Sequence, residues 1–97
     1  MFKGSNTTLV AVATNAKLTK VTATKVAQLA QVGLTRVIWP AHTMVDGDMV
    51  FCLSPVTATA GADVIALGIA AAEAVSEAIL RGVRAARKLG GVPGLAD

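Results

Sequence analysis

Two short β-prone runs are all that this chain offers to a sheet, and two strands do not make a stable sheet alone. Thr7–Thr14 reads TTLVAVAT, too continuously apolar for a half-exposed strand, which predicts a strand buried on both faces. Met49–Leu53 reads MVFCL and predicts a second strand, introduced by the turn signal Asp46-Gly47-Asp48. Between them, Asn15-Ala16-Lys17 turns the chain and Thr19 is placed to cap a helix over 21–32, where Val21, Val26, Leu29 and Val32 fall at helical spacing. Gly33 is expected to close that helix, and Val37-Ile38-Trp39 is a short apolar segment stopped by Pro40. A small-residue loop over 54–61 leads into the longest helix, expected over 62–88, and Gly90-Gly91-Val92-Pro93-Gly94 reads as a flexible tail. The order strand, helix, strand, helix is an α+β layout with both helices on one sheet face. The missing strands must come from elsewhere, which implies a partner.

Composition points the same way. Hydrophobic residues make up 54% of the 97 and charged residues only 15%, with a mean hydropathy of +0.62. That excludes a disordered tail and suits a subunit that buries surface against another polypeptide. The net charge of +3 is mild. Arg84, Arg87 and Lys88 gather near the end of the second helix, where they complement the helix dipole, and Glu77 and Arg81 are spaced to pair at i,i+4. No interleaved aromatics or recognised motif suggest a nucleic-acid partner. Glu73 and Glu77 interrupt the most apolar stretch, so no membrane span is expected, and the short N-terminal segment lacks the apolar core of a signal peptide. A cytoplasmic location is the default expectation. The single cysteine, Cys52, sits inside a strand and reads as a small buried hydrophobe. With one His and one Cys, no metal or cofactor site is expected.

The polar residues that remain cluster at the two strand entries. By itself Ser5-Asn6-Thr7-Thr8 reads as a loop entering a strand, and Asp46-Gly47-Asp48 as a tight turn. Together they suit an N-terminal nucleophile, a Thr or Ser at the head of a buried strand. Cleavage of the bond before it frees an α-amine of pKa about 7.7–8 as one available base, with carboxylates nearby to hold charge. GSNTTLVAVATNAKLT (Gly4–Thr19) followed by PAHTMVDGDMVF (Pro40–Phe51) resembles the small β chain of the self-cleaving aminopeptidase family. That family includes the L-aminopeptidase/D-Ala-esterases, the β-peptidyl aminopeptidases and the 6-aminohexanoate-oligomer (nylon-oligomer) hydrolase. Asn-Thr at the junction looks most like the last branch.

The resemblance implies that residues 1–6 precede an autocleavage site between Asn6 and Thr7, and that 7–97 form the β chain. It further implies that Thr7 is the catalytic nucleophile and that Asp46 and Asp48 are the acidic pair of its hydrogen-bond network. A lysine and an oxyanion-stabilising asparagine belong to the larger α chain; Lys17, Lys20 and Asn15 match no such motif. The implied fold is a four-layer αββα sandwich completed by that α chain, with αβ units assembling into a homo-oligomer and no cofactor. The implied substrates are N-terminal amino-acyl peptides or ω-amino-acid oligomers. His42 is a candidate pocket residue, although a His after Pro40 in a loop also suits a structural role. Thr8 is the rival nucleophile by adjacency, but strand alternation turns it to the opposite face from Thr7. The alternatives are an assembly subunit that is never processed and a ligand-binding dimer.

Overall fold

The computed structural model describes residues 7–39 and 48–97. Their order is β1 (Leu9–Ala13), α1 (Lys20–Val37), β2 (Met49–Leu53) and α2 (Val64–Ala85), an α+β arrangement in which both helices lie on one face of the strand pair. The strands run parallel, with Leu9 opposite Met49 and Ala13 opposite Leu53. A parallel pair needs a crossover, and α1 supplies it. Beyond the ladder, Thr14 N donates to Leu53 O at 3.1 Å and Lys17 N to Ala60 O at 2.8 Å, so the two segments stay in company past the strand ends.

α1 starts where Thr19 caps it. Thr19 Oγ1 accepts from Thr22 N at 3.1 Å, and Thr22 Oγ1 accepts from Thr19 N at 2.8 Å, a reciprocal box that satisfies two orphan amides. The helix then runs five residues further than expected, to Val37. Gly33 does not close it. It is buried in mid-helix where α1 crosses α2, and a Cβ there would drive into the Ala72 carbonyl, so the glycine serves close approach. Beside it Ser76 Oγ donates to Gly33 O at 2.7 Å, pairing the buried polar side chain of α2.

α2 begins at Val64 because Asp63 accepts from Ile65 N at 2.9 Å and Ala66 N at 3.3 Å. Truncation of that cap, Asp63→Ala, is expected to destabilise the protein by about 1 kcal/mol, read as a lowered urea midpoint with an unchanged slope. The Glu77–Arg81 pair forms, Nε to Oε1 at 2.8 Å, and holds the Glu77 carboxyl below its ordinary range through that hydrogen bond and the Arg81 charge. Both side chains are exposed, so the pair contributes little to stability.

The helix ends at Ala85, short of the expected Lys88, because the tail folds back on it. Leu89 and Val92 bridge across Gly90 and Gly91, whose φ values of 58° and 83° lie in the left-handed region that favours glycine. Ala96 N donates to Ala86 O at 3.0 Å. The Asp97 carboxylate accepts from Lys88 N at 3.0 Å and Gly94 N at 2.8 Å, bonds that hold its pKa below the ordinary value, Gly94's being the stronger influence. The expected flexible tail is instead a closed clasp.

The core lies between the helices. Val26, Ala30 and Leu34 of α1 meet Ala71 and Val75 of α2, with Val10, Val12, Val50 and Cys52 packed beneath. Burial alternates along each strand, so β1 is covered on one face only. The opposite face presents Leu9, Ala11, Ala13, Met49, Phe51 and Leu53, all exposed. This departs from the expectation of a strand buried on both faces. The apolar residues demanded by two-sided burial are in place, but nothing among the described residues covers the second side.

Candidate active site

Parallel pairing brings the heads of β1 and β2 to the same end of the sheet. Thr7 precedes β1 and is exposed; Thr8 is half-buried, in keeping with alternation that turns it toward the helices. Thr8 N donates to Asp48 Oδ1 at 2.9 Å, and Thr8 O accepts from Met49 N at 3.0 Å. Thr7 and Asp48, forty-one positions apart in the sequence, thus stand at one edge, with the carboxylate on the amide that follows Thr7. Asn6, His42 and Asp46 lie outside the described residues, as does the Gly47 turn.

The strand geometry depends on Ser54, which sequence reasoning passed over as one small residue in a loop. Its Oγ donates to Ala16 O at 2.6 Å and accepts from Leu18 N at 3.2 Å, fastening the β1–α1 connection to the end of β2. Nothing local marks this serine, since the partners lie 36 and 38 residues away. Ser54→Ala is expected to lower stability by about 1–3 kcal/mol by leaving those backbone groups unpaired, again read from a urea midpoint.

Two hollows flank the strands. A groove of about 400 Å³ runs beside β2, lined by Leu18, Ala23, Val50, Cys52 and Ser54. One of about 270 Å³ runs beside β1, lined by Leu9, Ala11, Val75, Ala78 and Ile79, with Thr8 at its end. Both follow the outer edges of the strand pair, where further strands would pair, and neither is lined by Thr7. Burial raises the Cys52 thiol pKa, which keeps the thiolate scarce and the residue a poor nucleophile. Among the described residues no three His, Cys, Asp or Glu side chains gather as a metal site, and no helix is long and apolar enough to cross a membrane.

Comparison with known proteins gives the family of the chain. The profile of peptidase family S58 matches residues 1–96. The chain belongs to peptidase family S58. Among its relatives, an uncharacterized aminopeptidase of Mycobacterium leprae is 43% identical over 101 residues, covering 91% of this chain and 28% of the relative. Uncharacterized aminopeptidases of Mycobacterium bovis and Mycobacterium tuberculosis are each 37% identical over 105 residues, covering 95% of this chain and 30% of theirs. This S58 chain therefore spans less than a third of the length of the curated relatives it matches. No solved structure matches it.

Proposed function

We propose that this S58 chain is the β chain of an amide hydrolase, self-processed between Asn6 and Thr7, with Thr7 as its N-terminal nucleophile. The observation that carries the reading is the placement of Thr7 at the exposed head of β1, its following amide held by the Asp48 carboxylate. In processing, Thr7 Oγ1 attacks the Asn6 carbonyl, the acyl group passes from nitrogen to oxygen, and water hydrolyses the ester. This frees the Thr7 α-amine, whose pKa near 8 makes it one base for the hydroxyl. In turnover the same oxygen attacks the substrate amide, the amine product leaves, and water releases the acyl group. Asp46 and Asp48 belong to the surrounding network, and His42 to the pocket wall.

Two further features support a larger partner from the same precursor. The relatives are more than three times as long as the stretch they share with this chain. The open sheet face is apolar throughout, as a face meant to be covered by a second sheet would be. The αβ unit is then the working enzyme, assembling further into a homo-oligomer. The relatives' aminopeptidase names favour substrates with a free amino end, N-terminal amino-acyl peptides first and ω-amino-acid oligomers by the same chemistry.

Intact mass and N-terminal sequencing of the full-length protein test this directly. The expected result is a chain beginning at Thr7, co-purifying with a larger chain that ends in Asn6. A protein that hydrolyses amino-acyl anilides with the Asn6–Thr7 bond whole would overturn the self-processing reading.

A further inference from the structure

The helix layer carries an apolar stripe on the side away from the core. Gly68 lies against Leu29 and Gly33 against Ala72, so α1 and α2 run side by side and parallel. Val32 of α1 and Ile65 and Ile69 of α2 are half exposed or more, with Leu29 half-buried among them. Grouped aliphatics of this kind mark a contact surface, whereas single ones do not. One cation and one anion frame the stripe. Arg36 and Glu73 line the same hollow of about 130 Å³ as Leu29, Val32 and Ile69. Both are exposed, and among the described residues no ion pair joins them. Because Gly33 is level with Ala72, Arg36 and Glu73 stand only about 3 Å apart in height along the helix axes.

A face that carries both signs at one height is complementary to itself. A two-fold axis laid along the groove between the helices sets α1 of one copy over α2 of the other. Val32 then meets Ile69 and Arg36 meets Glu73, each contact occurring twice. We propose that this outer α1–α2 face is a docking surface for a second copy of the chain, joined by the aliphatic stripe and two reciprocal Arg36–Glu73 pairs. The inference rests on the assembly of like αβ units in the proposed function, and not on the nucleophile. No strand residue lines the hollow, so the face is separate from the sheet surfaces that an α chain would cover. An unrelated partner would call for no such matching of signs.

The test is charge reversal in the full-length protein, with assembly mass read by light scattering over a dilution series. Arg36→Glu sets two carboxylates against each other at both pairs, and Glu73→Arg sets two guanidinium groups against each other. Each single variant is expected to weaken self-association by about a hundredfold and to fall to half the wild-type mass, with the circular dichroism spectrum and urea midpoint kept. Mixing the two single variants should recover the wild-type mass, because every reversed position then faces an opposite charge across the axis. Mixing cannot restore a pair made within one chain or a contact made to an α chain. A wild type that stays a single αβ unit, single variants of wild-type mass, or a mixture that stays at half mass would each overturn the inference. Recovery by mixing, in a protein whose Asn6–Thr7 bond is never cut, supports the docking face while rejecting the hydrolase reading alone.

Discussion

Thr7→Ala is expected to leave the full-length precursor uncut and to lower amide hydrolysis by at least about a thousandfold, the scale seen when a nucleophile is removed. One atom, the Thr7 hydroxyl oxygen, serves both steps, so mass spectrometry and anilide turnover should fail together. Folding should not be affected. Thr7 is exposed, and exposed substitutions away from special features change stability by about 0.5 kcal/mol or less. Thr7→Ser keeps an oxygen at the same place and should still be cut. Thr8→Ala is the control, since the side chain of Thr8 is turned to the other face and the bond to Asp48 is made by its backbone amide. Full turnover in Thr7→Ala, or loss of cleavage in Thr8→Ala alone, would move the nucleophile off Thr7.

The second large effect is on stability, and its sign opposes intrinsic propensity. Replacing a mid-helix glycine with alanine ordinarily stabilises by about 1 kcal/mol. At Gly33 the added methyl would meet the Ala72 carbonyl, with its carbon 2.8 Å away, a separation that backbone atoms cannot yield by rotating a side chain. The helices must part. Parting loosens Leu34 and Val75 in the core and breaks the 2.7 Å bond from Ser76 to Gly33 O. Overpacking of about 1–3 kcal/mol and an unpaired buried group of about 1–3 kcal/mol together exceed the propensity gain. Gly33→Ala is therefore expected to destabilise by about 3 kcal/mol, and Gly33→Val by more. A urea midpoint raised in Gly33→Ala would mean that the helices part at no cost and would overturn the close-approach role of Gly33.

Gly33 also marks where local reading of the sequence stops. A glycine after a run of helical spacing carries the same local sign whether it ends a helix in left-handed conformation or admits a neighbour. Only the partner, Ala72, decides, and it lies on another element. The tail shows the same limit. Gly90-Gly91-Val92-Pro93-Gly94 has the composition of a flexible segment, yet Asp97 reaches back to Lys88 and Gly94 and closes it. Features set within a few residues were legible: the Thr19 cap, the Glu77–Arg81 pair, and both strands. The expectation of more sheet rests on the same two apolar strands, whose second face is exposed among the described residues. At the site, Thr7 and Asp48 were visible as separate weak signals joined by family resemblance. That Asp48 would grip the amide of Thr8 was not legible, since it depends on parallel register across a helical return.

That return has a consequence in time. The hydrogen bond from Thr8 to Asp48 spans forty residues, and closing so long a loop has an entropic cost that only the packed layer repays. While the chain is still emerging, or has collapsed without α1 in place, the threonine head is loose and poorly aimed. On the proposed reading, severance before Thr7 then acts as a checkpoint. Copies that never build the layer stay whole and unarmed, and a hydrolase that could attack its neighbours acquires its weapon only when its own architecture is complete.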